Sequence, residues 1–190
     1  MAKAQYDRNC ILDRSIELFW EHGFNGSSMK QLVQATGLKP GSLYLSFGNK
    51  EAIYREAMQR YAEKGILSIR EILDTAPSVG EGLCRILEMY VQEATKKDYC
   101  SCFLVKTQLE LSAVGNTLHD FAAAKLREVE AVYQNYLEKE FSNAVSTVRA
   151  TSLMLHIFGM RVYGYQQGST DRMRRGLKEG LPWLPWTDEA

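Results

Sequence analysis

The sequence predicts an all-α protein, with a three-helix helix-turn-helix domain at the N-terminus and a larger helical domain behind it. Three observations carry this. Apolar residues recur at helical spacing along most of the chain, and no run alternates apolar and polar as a half-buried strand does. Residues 27–47 read as two short helices split by a tight turn at Thr36-Gly37. The chain has 190 residues, 45% of them hydrophobic, which allows a small domain and a larger one with a proper core.

The first helix is expected over residues 5–22. Leu12, Ile16 and Phe19 recur at i, i+4, i+7 with charges between them, and Gly23 ends the run. Its apolar face reads as core, buttressing the following motif from behind.

The second helix opens on Ser28, with Gln31 three residues on in the form of a capping box. Leu32, Val33 and Ala35 face inward, and Gly37 supplies the left-handed backbone that a helix end needs. Leu38 packs in the turn and Lys39-Pro40-Gly41 re-aims the chain. In the third helix Leu43 and Phe47 face inward at i, i+4. Ser42, Tyr44 and Ser46 are left outward, with Lys39 at the N-terminal end. Small polar groups, an aromatic hydroxyl and a cation on a short exposed helix suit a DNA major groove.

Gly48-Asn49 breaks the chain, and a fourth helix is expected over residues 49–73 as a connector. Phe47, Ala52, Ile53 and Tyr54 read as packing. Lys50 falls in its first turn, where a cation opposes the helix dipole, so a phosphate contact is the better reading. Pro77 and Gly80 follow as a boundary. The domains are therefore residues 1–48 and 49–190.

The remainder is helical by period. Leu83, Ile86, Leu87 and Tyr90 form a stripe, and Lys96-Lys97-Asp98 is a polar break. A helix over 101–112 carries Gln108 between Leu104 and Leu111. Gly115-Asn116 makes a turn, and further helices are expected over 117–140, 144–167 and 170–180. Pro182 and Pro185 flank an apolar tail with Trp183, Leu184 and Trp186.

Composition excludes several classes. Lys plus Arg and Asp plus Glu are 23 each, so DNA binding rests on the motif and not on net charge. Four cysteines without a secretory leader point to a reducing compartment, and no run has the length of a membrane span, so a cytoplasmic protein is expected. No phosphate loop, nucleophile elbow or zincin motif is present, and His22, His119 and His156 lie far apart, so neither catalysis nor a cofactor is expected. Cys100, Cys102 and His119 lack the spacing of a zinc site, so no metal is expected.

Gly23-Phe24, Ser28-Met29, Ala35-Thr36-Gly37, Gly41-Ser42-Leu43-Tyr44, Phe47 and Asn49-Lys50-Glu51-Ala52-Ile53-Tyr54 form an ordered series over residues 8–57. This series resembles the N-terminal domain of TetR-type transcriptional regulators. The resemblance implies a homodimeric regulator of double-stranded DNA with a palindromic operator, most often a repressor released by a small-molecule effector. It implies that Ser28, Lys30, Tyr44 and Lys50 hold phosphates, that Lys39 and Ser42 reach base edges, and that Gly41 belongs to the same surface. Lys3 and Arg8 are either phosphate contacts or solvated surface charges. Ser46 departs from the larger residue common at that point.

The resemblance places dimerisation on the two long helices near the C-terminus. The 144–167 helix has apolar positions on more than one side, and Gly159 and Gly164 allow close approach. The resemblance also implies a pocket among the central helices. Candidates are Met89, Tyr90, Phe103, Gln108, Phe121, Tyr133, His156, Met160 and Tyr163, each of which reads equally as core. Cys100-Ser101-Cys102 meets a helix start near Lys96, Lys97 and Lys106, where a thiol is activated, so Cys102 or Cys100 as a redox or electrophile sensor is an alternative. A ligand-independent structural DNA-binding factor is the other.

Overall fold

The computed structural model describes residues 7–112, 115 and 117–186. Lys3, residues 5 and 6 of the expected first helix, and Asn116 of the expected turn lie outside these. Among the described residues there are nine helices and no strand: α1 (Arg8–His22), α2 (Met29–Thr36), α3 (Pro40–Phe47), α4 (Lys50–Thr75), α5 (Val79–Glu93), α6 (Phe103–Leu111), α7 (Thr117–Leu137), α8 (Asn143–Tyr163) and α9 (Thr170–Gly180).

Several helix ends have a local cause. Asp7 caps α1 by accepting the Asn9 N–H, and Ser78 caps α5 by accepting that of Glu81. The α4 helix runs on to Thr75, past the expected end at 73. Nothing breaks it before Pro77, and the Thr75 hydroxyl satisfies the Glu71 and Ile72 carbonyls. The α6 helix begins at Phe103, so Cys100, Ser101 and Cys102 precede it. The α7 and α8 helices stop earlier than apolar spacing predicts. After Leu137, three-residue hydrogen bonds such as Lys139 N–H to Tyr136 O tighten the chain into a turn that keeps a near-helical period.

The chain packs as two compact units. One comprises the residues up to Glu63 together with Phe103–Lys125, and the other Lys64–Cys102 together with the residues from Leu126 onward. The helix-turn-helix residues thus share a unit with α6.

In the first unit Tyr54 is the packing centre. Its ring meets Phe19, Phe24 and Phe103 edge-on, with centroids 4.6, 5.1 and 5.0 Å away. Its hydroxyl pairs with Thr107 Oγ1 at 2.8 Å, and burial raises its pKa well above the ordinary tyrosine value. Ile11, Leu12, Ile16, Leu32, Leu43, Phe47, Ile53 and Met58 are buried in the same unit. Each such side chain contributes about 1.5–3 kcal/mol on burial, so this core and not local propensity holds the two eight-residue helices α2 and α3.

In the second unit α5 buries Val79, Leu83, Ile86, Leu87 and Val91, α7 buries Leu126, Val132, Tyr133 and Leu137, and α8 buries Leu153, Met154 and Ile157; α5 packs on α8 and α9. Arg174 of α9 grips Glu88 of α5 with two hydrogen bonds, at 3.0 and 2.6 Å, and lowers that carboxyl below its ordinary pKa. The indole of Trp186 donates to Leu181 O at 2.8 Å and folds the apolar tail back.

Candidate nucleic-acid interface

The geometry of residues 28–47 follows from its caps. Ser28 accepts the Gln31 N–H at 3.3 Å and donates its hydroxyl to Gln31 Oε1 at 2.8 Å. The reciprocal pair is present, but the Gln31 side chain holds the hydroxyl and not a backbone N–H. Gly37 ends α2 in the left-handed region at φ +72°, which a residue with a Cβ enters only with strain. Arg14 of α1 donates to Thr36 O at 3.3 Å and ties that end down. Pro40 then opens α3 at its first turn, where its missing N–H is no loss.

Leu43 and Phe47 bury one side of α3. The other side carries exposed Gly41, Tyr44 and Leu45, with Lys39 at its start and Ser42 half-buried. Tyr44 is 50% exposed and Leu45 is 89% exposed. Leu45 is the residue that polarity hides from sequence reasoning. Its position opposite Leu43 and Phe47 is the signal that could have found it. A bare leucine there suits the methyl group of thymine. Gly41 has neither a positive φ nor any atom within 4 Å of an added Cβ, so the fold does not call for glycine there.

Ser28 and Lys30 are exposed beside this surface. Lys50 is half-buried and turns inward: its ammonium donates to Phe24 O at 2.8 Å and Ser27 O at 2.9 Å and lies 4.2 Å from the centre of the Phe24 ring. Two of its three donors thus satisfy carbonyls of the α1–α2 loop, which explains a cation in the first turn of α4. Arg8 is neither free nor merely solvated. It forks onto Glu56 at 2.6 and 2.7 Å, donates to Ser46 O at 3.1 Å and covers the Phe47 ring at 4.2 Å, fastening the end of α3 to α4.

The α6 helix holds the same loop from the opposite side. Glu110 accepts the N–H groups of Phe24 and Asn25, and Lys106 one turn earlier donates to Trp20 O near the end of α1. The cation meets the carbonyl end of α1 and the anion meets free N–H groups, the pairing that the helix dipole favours. Gly23, at φ +73°, leaves the room: an added Cβ would lie 2.5 Å from Glu110 Oε2.

The nine residues expected to form a ligand pocket divide between the units. Phe103 packs on Tyr54 and Tyr61, Phe121 lies under Arg55 and Lys125, and Gln108 stands on α6, all in the first unit. In the second unit the hydroxyls of Tyr90 and Tyr133 meet at 3.5 Å, with the Arg161 guanidinium 3.9 Å over the Tyr90 ring and 2.5 Å from Glu93. Burial raises both phenols above their ordinary pKa. Met89 lies on α5 beside Tyr90. His156, Met160 and Tyr163 instead line an open groove of about 530 Å³ between α8 and α9.

None of the four cysteines is in a disulfide; Cys10 is exposed, while Cys84, Cys100 and Cys102 are half-buried. Cys102 immediately precedes the first residue of α6. His119 pairs with Asp120 at 3.2 Å. Among the described residues, no group of three or more His, Cys, Asp or Glu is placed to hold a metal, and no helix is long and apolar enough to cross a membrane.

Known proteins are similar to this chain in both sequence and fold. Residues 11–57 match the family described as bacterial regulatory proteins, tetR family. The HTH-type transcriptional repressor ComR of Escherichia coli K12 is 30% identical over 131 residues, 66% of this chain and 62% of ComR. The uncharacterised HTH-type transcriptional regulator YezE of Bacillus subtilis 168 is 27% identical over 107 residues, 56% of this chain and 55% of YezE. The match therefore spans less than two thirds of the length of either relative. Among solved structures, a cysteine mutant of the TetR family transcriptional regulator CifR, in complex with 26 bp double-strand operator DNA, superposes with a TM-score of 0.79 at 26% identity. The superposition covers 98% of this chain and all of that one.

Proposed function

The chain belongs to the TetR-type transcriptional regulators, and from that premise we propose that it binds a palindromic operator in double-stranded DNA as a homodimer and leaves it when a small-molecule effector binds. The observation that carries the reading is α3, with Leu43 and Phe47 buried and Gly41, Tyr44 and Leu45 turned to solvent. Lys39 and Ser42 read base edges and Leu45 meets a thymine methyl. Ser28, Lys30 and Tyr44 hold phosphates, together with the remaining donor of Lys50. Two copies place their α3 helices about one DNA turn apart, roughly 34–36 Å. Repression is the reading favoured by ComR, a repressor by name.

The dimer reading rests on α8. Val145, Val148, Ser152, Leu155, Gly159 and Val162 follow one another at alternating three- and four-residue steps, the spacing of a helix-pairing seam. Leu155 is 65% and Val148 69% exposed. Gly159 and Gly176 line the adjoining groove with nothing within 4 Å of an added Cβ, so the backbone of a second copy can come close.

Selection of bound sequences from random duplex DNA tests the function. A palindromic consensus is the expected result, and no enrichment sinks it. A thiol-sensing regulator is the second reading, favoured by the place of Cys102 immediately before the first residue of α6. Release of DNA by an electrophile, abolished in Cys102→Ser, supports that mode; a normal response of the variant removes it.

A further inference from the structure

A cleft in the second unit has no part in the reading above. It lies between residues 94–99, which follow α5, and residues 164–170, which join α8 to α9, and measures about 550 Å³. Ser169 stands at its floor. The residue is 2% exposed, its hydroxyl makes no hydrogen bond to the protein, and it lines the cleft. Among the described residues the Ser169 hydroxyl is not one of the sealed polar atoms, so it is open to the cleft and takes its partner from what the cleft holds. The same residue opens α9 without capping it: its backbone is already helical, at φ −76° and ψ −18°. The uncapped N-terminus of an eleven-residue helix and a waiting hydroxyl therefore face one space.

The surrounding groups share one sign. Lys96 and Lys97 line the cleft from the loop after α5, and Gln166, Gln167 and Thr170 add neutral polar groups. No carboxylate lines it. Asp171, in the first turn of α9, accepts from Arg174 at 3.1 Å, and Asp98 is exposed outside the lining. One wall is aromatic and fixed. Tyr99 and Tyr165 meet edge-on at 5.2 Å; Tyr99 donates to Arg161 O at 3.2 Å and Tyr165 accepts the Ser101 N–H at 3.0 Å. Gly164 permits this wall, since a Cβ there would lie 2.9 Å from the Tyr99 hydroxyl.

We propose that this cleft binds a small aromatic anion, with a phosphate or carboxylate head on Ser169, the start of α9 and the two lysines, and a flat ring on Tyr99 and Tyr165. The head group needs donors and positive charge, which the floor and mouth supply. The ring needs a rigid apolar face, which the tyrosine pair supplies.

Calorimetric titration of the full chain at fixed ionic strength tests this, with phenyl phosphate, benzoate, inorganic phosphate and phenol as probes. Saturable binding of phenyl phosphate or benzoate at one per chain is expected, with inorganic phosphate and phenol each at least about tenfold weaker. The exposed pair Lys96→Ala/Lys97→Ala should weaken binding about tenfold, and Ser169→Ala several-fold with unchanged helical circular dichroism. No saturable binding of either aromatic anion overturns the proposal, as does equal binding by the lysine variant, which places the anion elsewhere. Inorganic phosphate binding as tightly as phenyl phosphate removes the aromatic wall from it. The readout uses the protein without DNA, so failure of the operator reading leaves this result standing.

Discussion

Glu110 of α6 accepts the backbone N–H of Phe24 at 3.0 Å and of Asn25 at 2.7 Å, so one carboxylate closes the loop that delivers α2 to its place. Lys50 holds the opposite polarity of that loop, the Phe24 and Ser27 carbonyls. Between them the two side chains satisfy a segment that has no regular structure of its own.

Glu110→Gln leaves one loop N–H facing an amide NH₂ in place of an oxygen. Loss of a charge-assisted bond and an unpaired donor together lower stability by about 1–3 kcal/mol. Urea denaturation measures this, and operator affinity by fluorescence anisotropy should fall in parallel, because α2 and α3 lose their fixed entry. Unchanged operator affinity at reduced stability would separate α6 from DNA binding.

Gly41→Ala separates fold from function in the other direction. The added methyl meets no atom within 4 Å, and alanine favours helix over glycine by up to about 0.5–1 kcal/mol. The variant should melt no lower than the parent chain and bind operator more weakly, because the proposed interface sets DNA against the start of α3. Thermal melting and anisotropy on the same preparation check both halves. Full operator affinity would move the interface away from the start of α3.

Lys30→Ala and Lys50→Met should differ. Lys30 is exposed, so its loss should reduce the slope of log affinity against log salt by about 0.9 for each chain bound, roughly 1.8 for the dimer, and leave stability unchanged. Lys50 also satisfies two carbonyls, so Lys50→Met should reduce the slope similarly and lower stability by about 1–3 kcal/mol. A Lys50→Met protein with reduced stability and an unaltered slope would make Lys50 a purely internal residue.

Much of the local geometry of residues 28–47 was legible because its causes are local. Ser28, Gly37 and Pro40 act through the backbone within a few residues, and Leu43 and Phe47 share a face by period alone. What was not legible is long-range or directional. Nothing at Phe24 announces a carboxylate at residue 110, and nothing in the i, i+4 pattern shows that the Lys50 ammonium folds back onto a loop. Leu45 could have been read from helix geometry, but a leucine invites burial. The pocket residues could not be sorted because Phe103 and Tyr90 have the same apolar period, and only packing tells that they belong to different units.

The thiols should rank by burial and charge. Burial, with Glu81 nearby, pushes the Cys84 thiol up to about 11, so at neutral pH almost none of it is thiolate. Cys10 is exposed. Alkylation by iodoacetamide at pH 7.5, followed by peptide mass spectrometry, should label Cys10 well before Cys84. Raising the pH toward 11 should accelerate Cys84 by about tenfold per unit, since the thiolate fraction rises so below the pKa. Rapid labelling of Cys84 at neutral pH would mean that its side chain is more open than its burial shows.

Gly159→Arg tests the dimer without touching the core. An added Cβ at Gly159 has nothing within 4 Å, and the residue lies on the exposed seam with Leu155 and Val162, so the isolated chain tolerates the change. A second copy does not, because a guanidinium would be driven into an apolar seam, opposite its own symmetry mate in a two-fold pairing. Gel filtration with light scattering should show the mass of one chain, 21.6 kDa, where the parent shows two. Helical circular dichroism should be unchanged. Operator affinity should fall about 100-fold or more, since the second half-site no longer binds at high effective concentration. A variant that remains dimeric and binds operator fully would place self-association on another surface, and the open seam of α8 would then need a different partner.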